Sequence, residues 1–134
     1  MEREMNKDDV LRFLMSALSS IQVADELIPE LIALLAGTGS ENSIFNLLLM
    51  RLSFLQNLGA KAVQHKEFEA IGNGLYSMHL TGKGFNIRIL YSFLPDRSPI
   101  LLCAFYERGG KRKTDYTPYK GSALSRLERF KEEF

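Results

Sequence analysis

The chain has 134 residues, enough for one domain with a real core and too few for two. Its apolar fraction of 46% and charged fraction of 25% are those of an ordinary globular protein. Its most apolar stretch, Ile44 to Leu58, is broken by Arg51 and falls short of the ~20 residues that span a bilayer.

The only cysteine, Cys103, excludes an internal disulfide and reads as a buried core thiol inside the apolar run Ile100–Phe105. The start from Met1 to Asp9 carries charges of both signs and no signal-peptide pattern, so a cytoplasmic setting with no membrane partner is expected. A net charge of +1 hides an asymmetry. Residues 1–70 carry 6 basic and 10 acidic side chains, net −4, and residues 71–134 carry 11 and 6, net +5. A basic working surface on the second half and a neutral or acidic support on the first follow from that split.

The first sixty residues read as three helices with no initial strand. Asp8 is placed to cap a segment whose apolar residues Val10, Leu11, Phe13, Leu14, Ala17, Leu18 and Ile21 follow the helical period. A second helix covers Ala24 to Ala36, with Pro29 near its first turn and Gly37-Thr38-Gly39 ending it. Ser40 or Ser43 opens a third, which stops at Gly59 and is apolar on most of its circumference, so it is expected to be largely buried. Met15, Met50 and Met78 read as gap-fillers.

From about Glu67 the period becomes two. Leu75 to Leu80 places Tyr76, Met78 and Leu80 on one face and Leu75, Ser77 and His79 on the other. After turn chemistry at Thr81-Gly82-Lys83-Gly84, Phe85 to Phe93 puts Ile87, Ile89, Tyr91 and Phe93 toward the core. Arg88 then faces the other side with Asn86, Leu90 and Ser92. A second turn, Pro95 to Pro99, leads into Ile100 to Tyr106, an apolar run suited to a central strand. A fourth strand is possible at Glu67 to Ala70. Thr117-Pro118 starts a last helix with an apolar stripe of Ala123, Leu124, Leu127, Phe130 and Phe134. The expected fold is α+β: N-terminal helices over 1–60, then an antiparallel meander of three to four strands and a C-terminal helix over 66–134, in a single domain over 1–134.

The chemistry-bearing residues gather late in the chain. His65 and His79 stand apart, which leaves no metal cluster, and Gly72-Asn73-Gly74 and Gly82-Lys83-Gly84 are too short for phosphate loops. What remains is basic and phenolic: Arg108, Lys111, Arg112, Lys113 and Lys120 around Tyr116 and Tyr119, next to the strand that carries Arg88. Arg88 and His79 are expected on one face across the hairpin closed by the turn containing Lys83. Cations that hold phosphate and groups that exchange protons are what phosphodiester cleavage without metal requires. Each group also has a structural reading: a solvated basic loop, Arg88 paired with Glu107 or another carboxylate, tyrosines anchoring the last helix.

The order and spacing of three segments resemble the strand core of RelE/HigB toxins, in particular the phage-related HigB-like branch. They are Gly74-Leu75-Tyr76-Ser77-Met78-His79-Leu80, Asn86-Ile87-Arg88-Ile89-Leu90-Tyr91 and Leu101-Leu102-Cys103-Ala104-Phe105. Lys111-Arg112-Lys113-Thr114, Thr117-Pro118 and Ala123-x-x-Arg126-Leu127 match the family's end, so the likeness covers about residues 66–134. It departs at Ser77, where glutamate is frequent, at His79, where arginine is common, and over 1–60, where the family begins with a strand.

The resemblance implies a compact sheet with helices on one face. It also implies a metal-independent, cofactor-free mRNA endonuclease acting on the ribosome, held in check by a cognate antitoxin. It gives Arg88 phosphate and transition-state stabilisation. Arg112 or Lys113 would be the second basic group, Tyr116 or Tyr119 a stacking or proton-transfer group, and His79 an acid or base. Lys83, Arg108, Lys111, Arg112, Tyr119 and Lys120 would then bind RNA, and the N-terminal helices would extend the core, bind the antitoxin or contact a second copy. The alternative is a RelE-fold RNA- or protein-binding module with weak or no cleavage.

Overall fold

The computed structural model describes residues 4–107 and 114–133. Helix α1 (Lys7–Ala17), strand β1 (Gln22–Val23), helix α2 (Leu27–Leu35) and helix α3 (Glu41–Leu58) are followed by a 3-10 segment, Gly59–Gln64. Strands β2 (Phe68–Gly72), β3 (Leu75–Gly82), β4 (Phe85–Phe93) and β5 (Pro99–Tyr106) come next, then helix α4 (Thr117–Glu133). The expected α+β class and C-terminal helix are present.

The sheet has five strands in the order β1-β5-β4-β3-β2, antiparallel throughout except that β1 runs parallel to β5. The expected antiparallel meander is present as β2-β3-β4-β5, with the fourth strand at its start, and the first sixty residues add a fifth strand, β1, where none was expected. It is only two residues long, pairing Gln22 with Ile100 and Val23 with Leu101, too brief to leave a period-two pattern.

Both faces of the sheet are covered. Met78, Leu80, Ile87, Ile89 and Tyr91 pack with Val10, Leu14, Leu31, Ile44, Phe45 and Leu48 of the N-terminal helices. Leu75, Leu90, Leu102, Cys103 and Phe105 pack with Tyr116, Ala123 and Leu127 on the other face. Helices on one face only, as the family resemblance implied, is thus corrected to helices on both. Ile100, Leu102 and Cys103 all belong to the second cluster although Leu102 and Cys103 are consecutive. The cause is a register shift: Leu90 pairs with Cys103 but Tyr91 pairs with Leu101, so Leu102 is an extra, bulged residue.

Beyond the short β1, the edge of β5 needs other partners. Glu30 of α2 accepts from the Ala104 backbone N–H (3.0 Å), and Arg126 of α4 donates to the Leu102 carbonyl (2.8 Å). Arg126 also grips Glu30 through both terminal nitrogens, at 2.9 and 2.8 Å. One ion pair therefore satisfies strand backbone and joins α2 to α4 around the sheet edge.

The helix ends and faces show what ties the N-terminal half together and where it departs from expectation. Asn6, not Asp8, caps α1: its Oδ1 accepts from the Asp9 N–H at 2.9 Å, while Asp8 lies in the first turn. Glu41, at the start of α3, is buried and accepts from the backbone N–H groups of Met5 (3.0 Å) and Gly37 (3.1 Å), binding the chain's start to the α2–α3 corner. Helix α3 buries one face through Ile44, Phe45, Leu48, Leu52 and Leu55, but Leu49 and Met50 are exposed. Met15 and Met50, 60% and 61% exposed, are therefore not gap-fillers; Met78, fully buried, is. Among the described residues no helix is long and apolar enough to cross a membrane.

Candidate functional site

Asn73 and Gly74 both have positive φ (60° and 75°) and close the two-residue turn between β2 and β3, which sets the register of that hairpin. Glu69 consequently faces Ser77 across the ladder. On the other side of β3, His79 pairs with Arg88. Glu69, Ser77, His79 and Arg88 thus project from three neighbouring strands on the α4 face of the sheet, just beyond the first turn of α4. Tyr116, immediately before α4, reaches down onto them.

These side chains form one network. The Tyr116 hydroxyl donates to Glu69 Oε1 and lies 3.0 Å from Ser77 Oγ and 3.4 Å from His79 Nε2. His79 Nε2 is 3.2 Å from the same Glu69 oxygen. Arg88 donates through Nη1 to Asn86 Oδ1 (2.6 Å) and Thr81 Oγ1 (3.3 Å), while its Nε is buried without a partner. Among the described residues the guanidinium is therefore held by two neutral oxygens rather than by a carboxylate. Its charge is left to act on whatever enters the site.

Two of these groups titrate away from their ordinary values. Burial, then the Arg88 charge, holds the His79 imidazole below 6.5, against the opposing pull of Glu69 and Glu67. Burial, then the bond to Glu69, pushes the Tyr116 phenol up, so it stays protonated near neutral pH.

The His79 peptide is itself fixed. Its N–H donates to the Glu67 carbonyl (2.9 Å) and its carbonyl accepts from Arg51 Nε of α3 (3.0 Å). Arg51 also pairs with the Glu67 carboxylate at 3.6 Å. The charge that interrupts the apolar run of α3 in the sequence is thus a bracket between that helix and the site strand.

The structure brings His79, Arg88 and Tyr116 together as expected, and places Lys120 nearby. Lys120 lines a cleft of about 310 Å³ with Glu69, Ile71, Thr114, Asp115 and Tyr116. Lys83 sits exposed in the β3–β4 turn. Tyr116 is 7% exposed, with its ring against Phe105, so it offers no face for stacking on a base. Tyr119 is half-buried and stacks on Phe105 at 3.7 Å. Arg108, Lys111, Arg112 and Lys113 lie outside the described residues.

Sequence reasoning missed Glu69, Ser77, Asn86 and Thr81 as site members. The available signal was strand alternation from Glu67, which puts Glu67 and Glu69 on one side of β2. No protein-family model matches the chain, and no curated protein matches it either.

Proposed function

We propose that this chain is a metal-independent RNA endonuclease of the RelE/HigB kind, the toxin of a toxin–antitoxin pair that cleaves mRNA on the ribosome. The observation that carries this reading is Arg88, a strand arginine that among the described residues pairs with no carboxylate and has one buried N–H unmet, directly opposite His79. A phosphodiester brought to that guanidinium gains charge-assisted hydrogen bonds that strengthen as negative charge grows in the transition state. His79, held neutral, is a competent proton acceptor for a ribose 2′-hydroxyl. Lys120 beside the cleft supplies a further cation for the RNA backbone.

The resemblance accounts for the order of these groups along the chain, and its main departure has a compensation. Ser77 stands where the family frequently has glutamate, and Glu69 is the residue paired with Ser77 across the ladder. The carboxylate comes from the neighbouring strand. The exposed apolar side chains Leu11, Met15, Leu49 and Met50 on α1 and α3 offer surface for the antitoxin or for a second copy.

A second reading, a non-catalytic RNA- or protein-binding module, is favoured by Tyr116, whose buried hydroxyl is already engaged by Glu69. The two separate on induction of the chain in a bacterium beside an Arg88→Ala version. Growth arrest by the parent alone, with mRNA fragments ending inside codons, supports the nuclease. Normal growth with soluble, folded parent protein supports the binding module.

A further inference from the structure

His79 presents its two ring nitrogens to different surroundings. Nε2 faces Glu69 Oε1 at 3.2 Å and the Tyr116 hydroxyl at 3.4 Å. Glu69 is a carboxylate and can only accept, and the single Tyr116 proton is directed at it. The remaining proton of this triangle therefore belongs on Nε2. Nδ1 has no hydrogen-bond partner among the described residues. Among the described residues it is not one of the buried side-chain atoms without a partner, and the His79 side chain keeps 15% of its surface exposed.

We infer that Glu69 and His79 form an acid–base dyad in which Glu69 fixes the Nε2–H tautomer and His79 Nδ1 is the proton acceptor. Glu69 is the positioning residue, and the Tyr116 hydroxyl, itself 3.0 Å from Ser77 Oγ, holds its carboxylate in place from the other side. The role of Nδ1 in cleavage rests on the RNA-endonuclease reading above. The proton of a ribose 2′-hydroxyl passes to Nδ1 as the O2′–P bond forms and the P–O5′ bond breaks. The departing O5′ takes a proton from water, and the imidazolium returns its own to solvent, so no other reactant is consumed. Glu69 stabilises the imidazolium for the moment it exists, as the orienting third group of a nucleophile–base pair does. Among the described residues, the charged and titratable groups around the ring are Glu69 and Glu67 from the β2 side, Arg88 from β4, the neutral Tyr116 before α4 and Arg51 of α3 at its backbone.

Long-range ¹H–¹⁵N correlation spectra of the histidine rings of the full chain read the tautomer without any RNA. The dyad predicts Nε2–H for His79 above its titration. On an RNA substrate with ribosomes, Glu69→Gln keeps the side-chain shape and is expected to lower cleavage by roughly 10²-fold. It also moves the acidic limb of the pH profile to lower pH, because a pull that raises the His79 pKa is gone. Nδ1–H in a wild-type chain that cleaves RNA, or a Glu69→Gln rate and pH profile equal to wild type, overturns the dyad alone. A wild-type chain with Nε2–H that leaves RNA intact overturns the endonuclease reading, and the base role of Nδ1 with it.

Discussion

His79 and Arg88 occupy directly paired positions of β3 and β4, and their side chains share the face of the sheet on which Tyr116 lands. Burial, and then the neighbouring guanidinium, disfavours a proton on the imidazole, so the arrangement keeps the base form of the histidine next to a positive charge that no carboxylate among the described residues neutralises. Such a pair suits a reaction that removes a proton while negative charge builds on a nearby phosphate.

Removing the guanidinium separates its chemical role from any structural one. Arg88→Ala is expected to lower RNA cleavage by roughly 10²–10³-fold, the usual consequence of losing one transition-state donor. Its folding is expected to match wild type within about 1 kcal/mol, because among the described residues the guanidinium bonds the neutral, exposed or half-buried side chains of Thr81 and Asn86, which water can satisfy in its place. Single-turnover rates and urea denaturation check the two halves independently. A parallel loss of stability and activity would assign Arg88 to the scaffold instead.

The same substitution acts on His79. Arg88 lowers and Glu69 raises the imidazole pKa, so Arg88→Ala should titrate higher than wild type and Glu69→Gln lower, readable as histidine ring shifts against pH. In the wild type the folded value lies below 6.5, and between the two values the unfolded chain binds more protons. The His79 contribution to stability is therefore complete above 6.5 and is lost as the pH falls from there toward the folded value, levelling off below it. The difference in urea midpoint between wild type and His79→Gln, followed across that window, should shrink on acidification. A difference that grows would contradict the direction assigned here.

Away from the site, the Glu30–Arg126 pair is expected to matter more than a surface ion pair. Arg126→Ala leaves Glu30 without its main partner and the Leu102 carbonyl without its donor, and should cost about 3 kcal/mol in chemical denaturation. The Arg12–Asp9 pair, whose arginine side chain is 79% exposed, should cost under about 1 kcal/mol when broken. Equal effects would show that the α2–α4 bracket around β5 carries no special weight.

Leu48 and Met50 test the reading of α3 as a one-sided helix. Leu48→Ala, at a fully buried position, is expected to cost about 2–5 kcal/mol. Met50→Ala should stay within about 0.5 kcal/mol of wild type in the isolated chain. If the proposed toxin reading holds, an antitoxin or a second copy seated on this face is the condition under which Met50 should begin to matter, measurable as a weakened Kd in the same variant.

The strand half of the molecule was readable because β3 and β4 alternate and β5 is a continuous apolar run. The faces of Tyr76, Met78 and Leu80, and of Ile87, Ile89 and Tyr91, came out as expected, which placed His79 and Arg88 together. The helical half was readable in its elements and less so in its faces: a run such as Leu47-Leu48-Leu49-Met50 does not say which residues meet the sheet. Strand β1 escaped because two residues carry no period, and its parallel pairing with β5 depends on partners nearly eighty positions away. Glu69 escaped for a related reason. Its role comes from the β2–β3 register and from the approach of Tyr116, both set by tertiary packing. The burial of Tyr116 against Phe105 removed the stacking role that its residue type suggests in isolation.

The most direct test of the central claim is the chemistry of the cut ends. Purified chain, incubated with translating ribosomes and a defined mRNA in the presence of a metal chelator at a level the ribosomes tolerate, should give 3′ fragments bearing a 5′-hydroxyl and 5′ fragments ending in a cyclic phosphate, with Arg88→Ala giving neither. Intact mRNA with the folded wild-type chain, or fragments carrying a 5′-phosphate, would contradict it.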